Sequence, residues 1–258
     1  MANKNYLFLL GACLLLTTAC KKYAQTNSLS GTFYGPVVQL ANGTVKSFVV
    51  LDNYGKMLTL GMHISAAALV NLPADSTKMW VYPIDLPAQA QNAGYDHIEL
   101  DWNPIGHDPK PIYGLPHFDC HFYKVTKEYQ AGITAGTDTM TIAAKYMAPD
   151  YVSNKMIVPD MGVHWVDSKA PEFTGQKFTA TYVYGFYKAN LIFLEPMVTS
   201  AFLLSNPDYK IQIKQPASFK STGYYPSITH IYYDAIAKDY VIALEGMASK
   251  TGDSIIPI

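Results

Sequence analysis

Residues 116–123 read PHFDCHFY, and the alternation inside this stretch decides how the chain is built. On an extended strand, successive side chains point to opposite faces. His117, Asp119, His121 and Tyr123 then share one face, and Phe118, Cys120 and Phe122 share the other. The second face is apolar and belongs against a core. The first gathers groups that bind ions or move protons. Packing alone does not call for them, because a strand filled for packing takes valine, isoleucine or tyrosine. Cys120 accordingly reads as a small buried filler rather than a nucleophile.

Segments of the same kind recur on both sides. GTFYGPVVQL (31–40), VKSFVVLD (45–52) and MLTLGMHI (57–64) are divided by the turn formers ANGT and NYGK. KMWVYPIDL (78–86), HIELDW (97–102), HFDCHFYKV (117–125), DTMTIAAKY (138–146) and QKFTATYVYGFY (176–187) continue the series. NLIFLEP (190–196), YKIQIKQ (209–215), THIYYD (229–234) and DYVIALEGM (239–247) complete it. Only SAAALVNLP (65–73) and MVTSAFLLSNP (197–207) suggest helix, each closed by a proline. The pattern predicts a mainly β chain, an antiparallel barrel or sandwich with two short helices, with 31–258 as a single domain. Between two strands, WNPIGHDPKPIYGLP (102–116) carries four prolines and reads as a long loop. Loops of that length in a compact domain usually serve function.

The N-terminus bears on location. A lysine near the start, the apolar run LFLLGACLLL and small residues before Cys20 describe an export signal. Ten apolar residues are too few to span a bilayer, which takes about 20. Thr17-Thr18-Ala19-Cys20 resembles the lipobox of bacterial lipoproteins, in which the cysteine is acylated. Thr17 stands where leucine is usual, so cleavage by a general signal peptidase is the alternative. The expected layout is a lipoprotein signal peptide over 1–19, lipidation at Cys20, a flexible tether over 20–30 and then the domain. The expected location is the cell envelope: periplasmic, lipid-anchored, at the outer membrane. Cys13 leaves with the signal and Cys20 takes the lipid, so Cys120 has no disulfide partner.

Charge narrows the partners. The formal net charge is −1, and all nineteen basic residues are lysine. Phosphate and base-edge recognition lean on the arginine fork, so no nucleic acid partner is expected. There is no glycine-rich phosphate loop and no G-x-S-x-G elbow. Twenty tyrosines suit strands, a carbohydrate-facing surface or a homo-oligomer equally.

Three of seven histidines fall between positions 107 and 121. Downstream, PDMGVHW contributes His164, and NLIFLEPM puts Glu195 at the end of an apolar strand. A carboxylate there is costly unless it binds something. His107, His117, His121, His164 and Glu195 form the expected ligand set of a divalent metal ion, zinc first, then iron(II) or manganese. Asp119 is the expected catalytic group, a proton acceptor or the partner that orients an imidazole. An Asp119–His121 acid–base pair without an ion is the alternative. Strand geometry limits the set. Positions four apart lie roughly 13 Å from each other, whereas an ion sits only about 6–7 Å from the Cα of its histidine. His117 and His121 can share one ion only if a bulge or helix shortens the span; otherwise one of them stands behind the ligands. His63, His97 and His230 read as hydrogen-bonded structural residues.

At WNPIGHDP, PHFDCHFY, MGVHW and FLEPM the chain resembles an uncharacterised bacterial family of domains of unknown function. That family shows a WNP-x-GH-x-P, PHFD-x-HFY, MG-x-HW and F-x-EPM series. The resemblance runs from about Gly31 to Glu245. It implies site positions at His107, His117, Asp119, His121, His164 and Glu195, and brings no activity. Position 120 is Cys where an apolar residue, often phenylalanine, is expected. The histidine-then-glutamate order is also similar to a cupin's, but the cupin H-x-H pair and its glycine spacing are absent.

These readings converge on an exported, lipid-anchored metal-dependent hydrolase whose partners are a small-molecule substrate, the metal and the membrane. The alternative is a non-catalytic metal-binding or oligomeric scaffold lipoprotein of the envelope.

Overall fold

The computed structural model describes residue 1, residues 30–90 and residues 93–253. The expected signal beyond Met1, the lipidation site Cys20 and the tether up to residue 29 lie outside them. The first three strands are β1 (Gly31–Leu40), β2 (Gly43–Leu51) and β3 (Met57–Ser65), followed by β4 (Trp80–Asp85) and β5 (His97–Asn103). Helix α1 (Lys110–Tyr113) precedes β6 (His117–Tyr123), and α2 (Lys127–Ala131) follows it. Short strands β7 (Gly136–Thr137), β8 (Tyr151–Val152) and β9 (Met156–Ile157) lead to β10 (Val163–Asp167), β11 (Ala180–Tyr187) and β12 (Asn190–Thr199). Helix α3 (Ser200–Leu203), β13 (Asp208–Gln212), β14 (Gly223–Tyr225), β15 (Ile228–Asp234), β16 (Asp239–Glu245) and β17 (Ala248–Lys250) complete the elements of the described residues.

Two large antiparallel sheets result. One has the order β1-β2-β3-β16-β15-β13, and the other β4-β5-β6-β12-β11-β10-β8. The sheets do not close on each other, so the sandwich, not the barrel, is the architecture. Their facing sides make the main core. Phe118, Cys120 and Phe122 of β6 join Ile98 and Leu100 of β5, Leu194 and Val198 of β12, and Leu60, Ile64, Ile242 and Leu244 of the opposite sheet. Each such side chain, fully buried, contributes about 1.5–3 kcal/mol.

Every residue of β6 is buried, so its other face is covered as well. Loops do this. Tyr113 and Phe178 pack on Val183 and Met197 at one end. Val125, Ile133 and Met161 pack on Tyr123, Ile192 and Phe193 at the other. The polar face of β6 therefore lies between the sandwich and a layer of irregular chain, which is where a site can be both dry and reachable.

Three local expectations need correction. Residues 197–207 were expected to be helical, but β12 runs on through Thr199 and only Ser200–Leu203 turn helical. Met197 and Val198 are held in the ladders to β6 and β11, and Thr199 caps the short helix by accepting from Phe202 N. Residues 138–146 do not form a strand; they end in a 3₁₀ turn at Ala144–Tyr146. In 65–73 the helical part is a 3₁₀ turn at Ala66–Leu69. Ser65 is still paired to β16 as the end of β3, which delays the turn, and 138–146 finds no partner strand, so the contacts of the chain override weak local preference.

Candidate metal centre

Strand β6 lies between β5 and β12, near the middle of its sheet, and supplies three of the expected residues from one face. The others arrive from its neighbours. Leu194 pairs with Phe122 and Met197 with Asp119, and that continuous register sets Glu195 across from His121. No ladder pair to β6 forms at Glu195 and Pro196 themselves, where proline has no N–H to offer, although both pair with β11. His164 comes from β10, two strands beyond β12. His107 returns over the face on the loop that follows β5.

The six expected residues do share one face, but they do not meet at one point. They form two groups: His107, His117 and Asp119, and His121, His164 and Glu195. Within each group the donor atoms lie within 4.8 Å of one another. The distance limit of the strand holds, since His117 and His121 do not share a group, but neither stands behind the other: each belongs to a group of its own.

In the first group, His107 Nε2 lies 3.3 Å from Asp119 Oδ2, and His117 Nε2 lies 3.0 Å from Asp119 Oδ1. Both imidazoles are oriented from behind. His117 Nδ1 donates to Leu115 O at 2.6 Å, and His107 Nδ1 donates to Asp108 O at 2.8 Å. A carbonyl only accepts, so each Nδ1 carries the proton. In a neutral imidazole Nε2 is then a lone pair, aimed at a carboxylate that also offers only lone pairs. His117 Nε2 and Asp119 Oδ1 are buried and have no hydrogen-bond partner. Something positive, a proton or a metal ion, has to stand between them.

In the second group, His121 Nε2 and Glu195 Oε1 are 3.6 Å apart, and His164 Nε2 and Glu195 Oε2 are 3.5 Å apart. His121 Nε2 and Glu195 Oε2 are again buried without a partner. Two donors each about 2.1 Å from a tetrahedral ion stand about 3.4 Å apart. The separations in both groups match that edge, and the neutral-imidazole and carboxylate chemistry suits zinc, iron(II) or manganese.

The electrostatics agree. Among the described residues, Asp101, Asp119 and Glu195 form ion pairs only with histidines, so no lysine neutralises this buried acid. Burial opposes the charge on Asp119, but His107 and His117 outweigh it and hold the carboxyl well below its ordinary range. Burial pushes Glu195 up to about 8, against the pull of His121. His107 rises to about 9, burial being outweighed by Asp119, and His121 rises to about 10, burial being outweighed by Glu195 and Asp101. Without a metal, these shifts favour a proton on His107 and on His121.

HIELDW forms the strand expected of it, β5, but two of its site residues, Asp101 and Asn103, were not among the expected ones. Asp101 is fully buried and lies 3.3 Å from His121 Nδ1, and Asn103 donates to Asp119 Oδ2 at 2.8 Å. HIELDWN alternates as plainly as HFDCHFY, with Glu99, Asp101 and Asn103 on one face, so the signal was present. The remaining histidines take hydrogen-bond or ion-pair partners. His97 sits between Asp96 and Gln130, His230 between Glu245 and Asp208, and His63 lies 3.2 Å from Asp239.

One family model matches, described as TTHB210-like, hypothetical protein TTHB210, over residues 52–102. The matched stretch covers β3, β4 and β5 to Trp102; it includes Asp101 and stops before His107. Over that stretch the chain is similar to a family without an assigned activity, and the four motifs that begin at Trp102 lie almost wholly beyond it. No curated protein and no solved structure matches.

Proposed function

We propose that this chain is an exported, lipid-anchored protein of the cell envelope that holds divalent metal at its two histidine–carboxylate groups and hydrolyses a small molecule. One observation carries the reading: His117 Nε2 faces Asp119 Oδ1 at 3.0 Å, both buried, with no donor between them. Zinc is the first choice, with iron(II) or manganese next, because two nitrogens and one carboxylate oxygen suit all three. A bound ion of this kind supplies a Lewis acid and a means of ionising water near neutral pH.

The chain's own residues supply the rest. His117 and His121 are sealed, whereas the His107 side chain is 38% exposed and that of His164 is 26% exposed. Each group therefore opens to solvent at one histidine, the arrangement expected where a substrate must reach the centre. Asp119 is the proposed orienting group, one oxygen toward each of His117 and His107, and its Oδ2 is held in place by Asn103. Tyr113, Phe178 and Phe193 flank the groups and exclude water from behind them.

The alternative, a non-catalytic metal-binding or scaffold lipoprotein, draws on the near-complete burial of His121 and Glu195. Saturated ligand groups there would pin β6, β12 and β10 together instead of reacting. Elemental analysis of protein purified without chelator tests the metal reading and should find close to two equivalents per chain. Protein that carries no ion and takes none up on dialysis against zinc overturns it. Cleavage of ester, amide or phosphoester probes by wild type, lost in His117→Ala, separates the hydrolase from the scaffold.

A further inference from the structure

Asp101 and Glu99 are acids of this face that belong to neither ligand group, and of the two Asp101 is the sealed one. It is fully buried, and neither of its carboxylate oxygens has a hydrogen-bond partner. Burying a carboxylate costs several kcal/mol unless it is paired, and an asparagine would fill the same space without that cost. Its ion-pair contact is His121 Nδ1, at 3.3 Å.

The register shows that the contact is part of a repeat. Across β5 and β6, Asp101 stands opposite Asp119 and Asn103 opposite His117. Asp101 reaches past Asp119 to His121, and Asn103 reaches past His117 to Asp119. Both use the same diagonal, one two-residue step along the strand, closed to 3.3 Å and 2.8 Å. Thus β5 backs β6 twice, once behind each ligand group. Elsewhere on this face the imidazoles of His107 and His117 are oriented by backbone carbonyls. His121 sits in mid-strand, where the carbonyls serve the ladder, so a side chain has to do that work.

We propose that Asp101 is a positioning residue: its carboxylate, 3.3 Å from His121 Nδ1, favours the imidazole proton on that nitrogen and leaves His121 Nε2 as the lone pair facing Glu195 and His164. The inference rests on the metal reading above. A carboxylate behind a ligating imidazole fixes its tautomer and raises its basicity, and loss of such a partner typically weakens metal binding about 10–100-fold. Asparagine at 101 can present an amide N–H to Nδ1, which moves the imidazole proton to Nε2 and closes the ligand position.

Metal-stripped full-length wild type and Asp101→Asn are titrated with zinc by calorimetry. Wild type is expected to bind two ions, and the variant to bind one as before and the other about 10–100-fold more weakly. Two ions bound with unchanged affinities by the variant overturn the inference and leave the metal reading standing. Wild type that binds no ion overturns both. Should the variant fail to fold, wild type loaded with cadmium-113 and labelled with nitrogen-15 histidine decides. Coupling from the metal to His121 Nε2, with a proton on Nδ1, supports the inference; coupling through Nδ1 overturns it. A purely structural aspartate would leave that tautomer unconstrained.

Discussion

The ring of Phe193 lies directly on Gly185, so close that a Cβ there would stand 2.2 Å from it. Gly185 pairs with Phe193 on one side and with His164 on the other. The same ring meets His121 in a T-shaped contact at 4.7 Å and His164 in a tilted one at 5.3 Å between centroids. The bare glycine lets an aromatic ring cross the strand and wedge two imidazoles at a fixed distance. Gly185→Ala is therefore expected to destabilise the fold by about 1–3 kcal/mol, and to weaken ion binding at His121, His164 and Glu195 more than at the other group. Thermal melts with zinc titrations check this; a change confined to stability, with both ions unaffected, would contradict it.

Because the two groups share no ligand, their ions should be lost independently. His117→Ala is expected to leave one equivalent of metal, His164→Ala to leave the other, and the combined variant to retain none. Elemental analysis after desalting reads the outcome, and a single variant that loses both ions would mean one joint centre.

The metal-free protein should weaken in alkali. His107 is raised to about 9 and His121 to about 10, because Asp119, and Glu195 with Asp101, outweigh burial. Groups raised above the ordinary histidine value of about 6.5 bind protons more tightly when folded. Their contribution is complete below that pH and is lost as pH rises through the folded values. Glu195, raised to about 8, acts in the same sense at lower pH. Melting temperatures in chelator should fall between about pH 7 and pH 10. Zinc replaces these protons, so its binding should tighten over the same interval. Melts with and without zinc across that interval test both halves.

Cys120 is fully buried among Phe118, Phe122 and Leu100, and burial pushes its thiol well above the usual range. It should resist alkylation in the native protein and react after unfolding, as mapped by mass spectrometry on the peptide that carries it. Cys120→Ser places a hydroxyl in an apolar core and should cost about 1–3 kcal/mol.

The proposed anchor is tested apart from the fold. Cys20→Ser should release the protein from the membrane fraction, and unchanged fractionation would remove the lipid from the proposal.

How much of this was legible before the chain was folded differs between β6 and its surroundings. The division of HFDCHFY into a core face and a polar face needed only the two-residue period of a strand, and Phe118, Cys120 and Phe122 lie in the core as that division requires, while burial of the polar face came from the loops over it. The separation of His117 from His121 needed only strand rise. The extension of β12 to Thr199 was not legible, because MVTSAFLL is a good helix until β6 and β11 bind its first residues. Nor was the role of Asp101, since its meaning lies in a diagonal to another strand.

By itself the sequence determined the class of the fold, the faces of its strands and the residue types gathered on one of them, because periodicity and side-chain chemistry are local properties. Which histidine joins which carboxylate was decided only by the order β5-β6-β12-β11-β10 and by the loop that brings His107 back over the face. Strand order is a choice among long-range pairings, set by the joint burial of many apolar residues, and no single stretch of chain encodes it.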